Sequence, residues 1–348
     1  MRSESTTSRR GFLSSCLAGA VGLAAGGQTF ACRGAEPIRA HGRSRVVVVR
    51  DARLREPVTG QNPPTEDAPV DSVRMQQLLD RALEALWGDA DRARNWNGVV
   101  RPGQLVGIKV NTLAGRRLSS NVLLVDAICR RLQDAGIRLQ DIVVWDRDTR
   151  ELERAGFHMQ MGGRQVQCFG TDRAGYEESL AAFGEVGSRL SRILTQRCDV
   201  LINVPVLKDH DGAGVSVALK NMYGVIHNPN KYHPNGCNPY IADVNALPQI
   251  RAKMRLTICD ATTGCYHGGP SYKPEFAWNE NALIASQDPV ALDYTAWRRI
   301  ERKRAEMGLK TLEAEGRAPH YIATAADAAH RLGTTDPMRM DVVEMQVA

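Results

Sequence analysis

The stretch from Val204 to Gly224, VPVLKDHDGAGVSVALKNMYG, gathers two lysines, a histidine and two aspartates around two glycines. Only eight of the 45 basic residues in the chain are lysine. Each lysine is therefore worth placing, because it offers a compact point charge and a tunable pKa that arginine cannot. Lys208, with Lys220 further on, suits a carboxylate or a phosphate. Gly212 and Gly214 allow successive backbone N–H groups to converge on one concavity. The composition after Gly214 predicts a helix, whose first turn would add free N–H groups and a positive dipole end. Ser216 and Lys220, four residues apart, would share one face of that helix. The G-x-x-x-x-G-K-[ST] order of a nucleotide-binding loop is absent.

The unperturbed pKa of histidine lies near neutrality, so His210 suits a general acid and base, with Asp260 or Asp288 to orient it. A lysine whose pKa is lowered by burial is a further base, or a Schiff-base nucleophile. Four of the eight histidines fall between positions 210 and 267. His227 and His233 lie in a loop rich in Asn, Pro and Gly, and could join His210 and Asp211 around a divalent transition metal. Neither H-x-x-x-H nor H-E-x-x-H spacing is present, and the cofactor is left open. No C-x-x-C occurs, so an iron–sulfur pattern is unsupported.

These residues need elements to hold them. RVVVVRDA (45–52), GQLVGIKVN (103–111), DIVVWDRD (141–148), CDVLINVPVLK (198–208), RLTICDA (255–261) and NALIAS (281–286) read as strands. Helices are predicted from Asp71 as N-cap to Gly88, from Asn121 to Gly136, and from Asp288 as N-cap with Pro289 first inside. Strands alternating with helices predict an α/β fold: a largely parallel sheet with helices on both faces, with room for two lobes around a crevice. Ligands in such folds bind beyond the carboxyl ends of the strands. Four strand ends carry polar groups toward what should be one edge. They are Lys109 with Asn111, Lys208 to Asp211, Asp260, and Ser286 to Asp288. His267 and Lys273 sit in the glycine-rich stretch after Asp260, and Asp293 lies one turn into the following helix.

The net charge of +6 is spread along the chain, and no basic run alternates with aromatics, so nucleic-acid binding is unsupported. At the N-terminus Arg9-Arg10 precedes a weakly apolar stretch from Leu17 to Ala25. This resembles a twin-arginine export signal over residues 1–31, with the twin-arginine export machinery as partner. The stretch is too short to span a bilayer, so no membrane span is expected in the mature chain. The expected location is periplasmic or secreted. Cys32, just past the predicted cleavage point, is a poor candidate for lipid attachment after Phe30. Residues 32–45 read as a linker and 46–348 as one α/β domain.

IKVN, NVPVLKDHDGAGVSVALKNMYG, the Asp260–Pro270 stretch with its GGP, and ALIASQDPVALD occur in an order that resembles the DUF362 family, a domain named for its unknown function. The resemblance covers roughly 46–300. It implies that Lys109, Asn111, Lys208, His210, Ser216, Lys220, Asn221, Asp260, Asp288 and Asp293 match family motif positions. Some relatives carry a ferredoxin-like domain with two iron–sulfur clusters, whose pattern this sequence lacks. The resemblance brings no reaction with it. The expectation is an exported enzyme acting on a small anionic substrate. It would use His210, Lys208 and Asp260 in catalysis and Lys109, Asn111, Gly212, Gly214, Ser216, Lys220 and Asn221 in binding. The alternative is a non-catalytic periplasmic protein that binds a metal or an anion, or serves as a redox partner.

Overall fold

The structure is a computed structural model that describes residues 42–56, 69–88, 91, 96 and 98–347. The twin-arginine segment and Cys32 lie outside the described residues. The elements that matter here are strands β1 (Ser44–Arg50), β2 (Val106–Val110), β3 (Ile142–Trp145), β4 (Gln167–Cys168), β5 (Val200–Val204), β6 (Val206–His210), β7 (Gly214–Ser216), β8 (Met254–Cys265), β9 (Ala282–Ser286) and β10 (Met340–Gln346). The helices are α1 (Ser72–Trp87), α2 (Val122–Asp134), α3 (Thr149–Ala155), α4 (Ala218–Asn221) and α5 (Pro289–Glu306).

Eleven strands form one mixed sheet, with β10-β1-β9-β8-β5-β2-β3-β4 as its main path. β6 continues β5 beyond Pro205 and pairs with the far half of β8 and with β7. Every neighbouring pair along the main path is parallel except the two made by β9. The sheet is thus largely parallel, as the continuous apolar runs predict. Alternate residues of β1 enter different cores, Val46 and Val48 on one face and Val47 and Val49 on the other. α1 and α2 cover the second face, and α5 covers the first. The described residues fall in one unit rather than two lobes.

The helix boundaries follow from their caps. Asp71 accepts from Val73 N and Arg74 N at the start of α1, and Gly88 ends it at φ 70. Such an N-cap contributes about 1 kcal/mol. Asp288 caps α5 in the same way, with Pro289 inside. No helix among the described residues is long and apolar enough to cross a membrane. The six described cysteines are free and buried.

Candidate functional site

β2 pairs with β3 on one side and with β5 on the other, so sheet growth reverses direction between β2 and β5. A crevice at the carboxyl ends of two such strands is the usual ligand position in an open α/β sheet. A cavity of about 520 Å³ lies there. Lys109, Asn111, Lys208, His210, Ser216, Lys220, Asn221, His227 and His233 all border it.

Strand pleating sorts the Lys-Asp-His-Asp cluster. Residues two apart on a strand share a face, so Lys208 and His210 both reach the cavity while Asp209 turns away. Asp209 is fully buried and pairs with Arg317 at 2.9 Å. β7 folds back on β6 with Ser216 directly opposite Lys208, which brings that hydroxyl to the same face. Lys220 and Asn221 arrive from α4, and Lys109 from the end of β2.

The three lysines differ in their partners. Lys109 Nζ donates to Asp146 Oδ1 at 2.7 Å and to the Val110 carbonyl at 2.7 Å, so its charge is already neutralised. Lys208 Nζ donates to Asn111 Oδ1 at 2.7 Å, and Lys220 Nζ lies 3.2 Å from His233 Nε2. Neither has an ion pair with a described carboxylate. Lys208 is 1% exposed and Lys220 7%. Burial pulls the pKa of each down to about 8. Neither ammonium is paired directly, but Asp146 and Glu151 act on Lys208 from further off and Asp148 and Asp172 also line the cavity, so its attraction for an anion is local to the wall that holds Lys208 and Lys220.

The amides are tied in sequence. Asn203 donates to Ala218 O and accepts from Asn221 Nδ2 at 2.7 Å, while Asn221 Oδ1 accepts from Asn111 Nδ2 at 3.1 Å. This network locks the Asn111 oxygen toward Lys208.

His210 departs from expectation. Its Nδ1 accepts from Gly212 N and Ala213 N, each at 3.1 Å. In the neutral ring the proton therefore sits on Nε2. Burial, then the nearby Lys220, His233 and Lys208, drives its pKa down to about 2. The ring stays neutral at physiological pH and offers a donor to the cavity, with no free lone pair to act as a base. The expected general base at His210 is thus corrected to a neutral hydrogen-bond donor.

Other expectations are corrected by position. The N–H of Gly212 is spent on His210, Gly214, at φ 78, packs against the Arg317 carbonyl, and neither glycine borders the cavity. The predicted helix from Val215 starts only at Ala218. Its first amides, Ala218 N and Leu219 N, donate to Asp293 at 2.7 and 3.1 Å. A carboxylate of the chain itself already occupies that helix end. Burial raises the Asp293 pKa to about 7.

Asp260 accepts from Asn121 N at 2.6 Å and Thr262 N at 2.9 Å, anchoring the start of α2 without touching His210. Asp288 lies at the opposite edge of the sheet, because β9 runs antiparallel to both neighbours. Its carboxylate meets Ser44, Val290, Ala291 and Thr334. Asp211 is exposed and outside the cavity, so the expected metal quartet of His210, Asp211, His227 and His233 is not assembled. Among the described residues no group of three or more His, Cys, Asp or Glu has a metal-holding geometry. His267 contacts Arg304 and Phe276, away from the cavity.

Residues the sequence reading passed over complete the walls. Asp146 accepts from Lys109, Thr112 N and Thr112 Oγ1, and it stands at the end of β3, where the strand-end rule would have found it. Gly224 lies so close to the Lys109–Asp146 pair that an added Cβ would sit 2.7 Å from Lys109 Nζ. Tyr223 presents its ring 4.1 Å from Lys220 Nζ. Glu151 stands at the cavity wall, held above the ordinary carboxylate range by burial and by Asp146 and Asp148.

No curated protein matches the sequence. Among solved structures, the crystal structure of a Thermotoga maritima protein is similar at 10% identity, covering 81% of this chain and 89% of that one, with a TM-score of 0.34. The family model for a domain of unknown function, DUF362, matches residues 106–298. That span is more than half of the chain and runs from β2 into α5, including each lysine, histidine and asparagine of the cavity named above. The chain belongs to the DUF362 family.

Proposed function

We propose that the cavity at the ends of β2, β5 and β6 binds a small carboxylate- or phosphate-bearing substrate. The observation that carries this is the pair of buried lysines, Lys208 and Lys220, with no carboxylate partner among the described residues. A protein keeps such a costly pair where an incoming anion compensates it. Ser216 and the His210 Nε2–H add neutral donors, which orient an anion without competing for protons. The Lys109–Asp146 pair holds the wall and carries no net charge toward the ligand.

A second reading, a binding protein without catalysis, draws on the loss of His210 as a base. The two readings share the anion site and part on whether a bound compound is changed. The proposal also puts this chemistry beyond the cytoplasmic membrane, on the strength of the Arg9-Arg10 pattern.

Calorimetric titration of the full chain with phosphate, pyruvate and oxalate at pH 7 tests the anion site. Saturable binding at one site, lost in Lys208→Met, is the expected result. Equal binding by wild type and variant would remove the site from this cavity.

A further inference from the structure

Lys220 has a neighbour that Lys208 lacks. His233 Nδ1 lies 3.1 Å from the Pro229 carbonyl, which can only accept a hydrogen bond. His233 therefore carries its proton on Nδ1 and presents the Nε2 lone pair to Lys220 Nζ at 3.2 Å. A nucleophile within hydrogen-bond reach of a base, with that base oriented by a third group, is the signature of covalent catalysis. Besides orienting the ammonium, that lone pair can take a proton from it. Lys208, by contrast, rests on an amide oxygen that cannot take one.

Resting on the anion site above, we propose that Lys220 is a Schiff-base nucleophile toward an oxo acid, with His233 as its proton relay and Lys208 as the anchor for the substrate carboxylate. His233 takes one proton from the Lys220 ammonium. The freed amine attacks the carbonyl carbon, forming a C–N bond as the C–O π bond breaks, and a second nitrogen proton passes to the oxygen. His233 then returns its proton to that hydroxyl, which leaves as water, and the third proton stays on the iminium. No redox partner is required. The Tyr223 face at 4.1 Å from Nζ stabilises a cation there before and after the change. Burial lowers the Lys220 pKa to about 8, so a useful fraction of amine exists near neutrality, while burial and the Lys220 charge hold the His233 pKa down and keep its ring neutral.

The test is borohydride trapping of the full chain with pyruvate, oxaloacetate or acetoacetate, read by intact mass and peptide mapping. A reduced adduct on Lys220 is expected for at least one acid. In His233→Ala its formation should slow by roughly tenfold or more, with the pH optimum moved upward because bulk solvent must then free the amine. An oxo acid that stabilises the protein thermally and leaves no adduct on Lys220 would overturn the proposal while sparing the anion site. An adduct confined to Lys208 would overturn the assignment as well. Failure of every acid, and of phosphate, to bind would remove both proposals. Because the wild-type peptide map locates the adduct, the result does not depend on any variant folding.

Discussion

Replacing Lys208 by Met should make the ligand-free protein more stable while removing anion binding. The ammonium is 1% exposed, and its pKa is about 8 against an ordinary 10.5. That difference corresponds to roughly 3 kcal/mol spent on holding the charge in the cavity wall. Methionine has a similar shape and no charge. Its substitution leaves Asn111 Oδ1 without the Lys208 donor, which costs about 1–2 kcal/mol. The net expectation is a gain of about 1–2 kcal/mol at pH 7. The folded-state pKa is depressed, so the penalty is complete below about pH 8 and fades as the pH rises toward 10.5. The advantage of the variant should fade over the same window. Equilibrium urea unfolding of both proteins, at several values from pH 7 to pH 10 and without added anions, measures this directly. A variant less stable than wild type at pH 7 would refute the reasoning, as would a difference that ignores pH, because either result would make Lys208 a structural residue.

Gly224→Ala should destabilise by about 1–3 kcal/mol and weaken anion binding, because the new methyl group meets Lys109 and Asp146; chemical denaturation and calorimetry check the two effects. Asp293→Asn replaces a carboxylate that accepts from both Ala218 N and Leu219 N, at a cost of about 1–3 kcal/mol, and hydrogen exchange at those two amides should rise. Anion affinity should fall as the pH passes about 8 and the two lysines lose their protons, by calorimetry between pH 6.5 and 9.5.

The sheet and its caps were legible because they rest on local chemistry. Asp71, Asp288 and Gly88 mark helix ends by side-chain and backbone preferences that act within a few residues. The strand-end rule likewise led to Lys109, Asn111, Lys208 and His210, since parallel strands put their carboxyl ends on one edge. It failed at Asp288, where β9 runs the other way; strand direction leaves no mark in an apolar run. The stretch 215–217 reads as helix because its composition permits either state, and pairing of Ser216 with Lys208 decides for strand. Nothing near Ala218 announces that Asp293, 75 residues away, closes the start of α4. Nor could the role of His210 be read from its type, because two backbone N–H groups of the following turn decide which nitrogen keeps the proton.

The charge state of the two buried lysines is open to direct observation. Carbon-13 NMR of the lysine ε-methylene groups, assigned with Lys208→Met and Lys220→Met, gives each titration separately. Two resonances titrating near pH 8 are predicted, both moving to higher pH when phosphate is added. Resonances titrating near 10.5 and indifferent to every anion would contradict an anion site in this cavity.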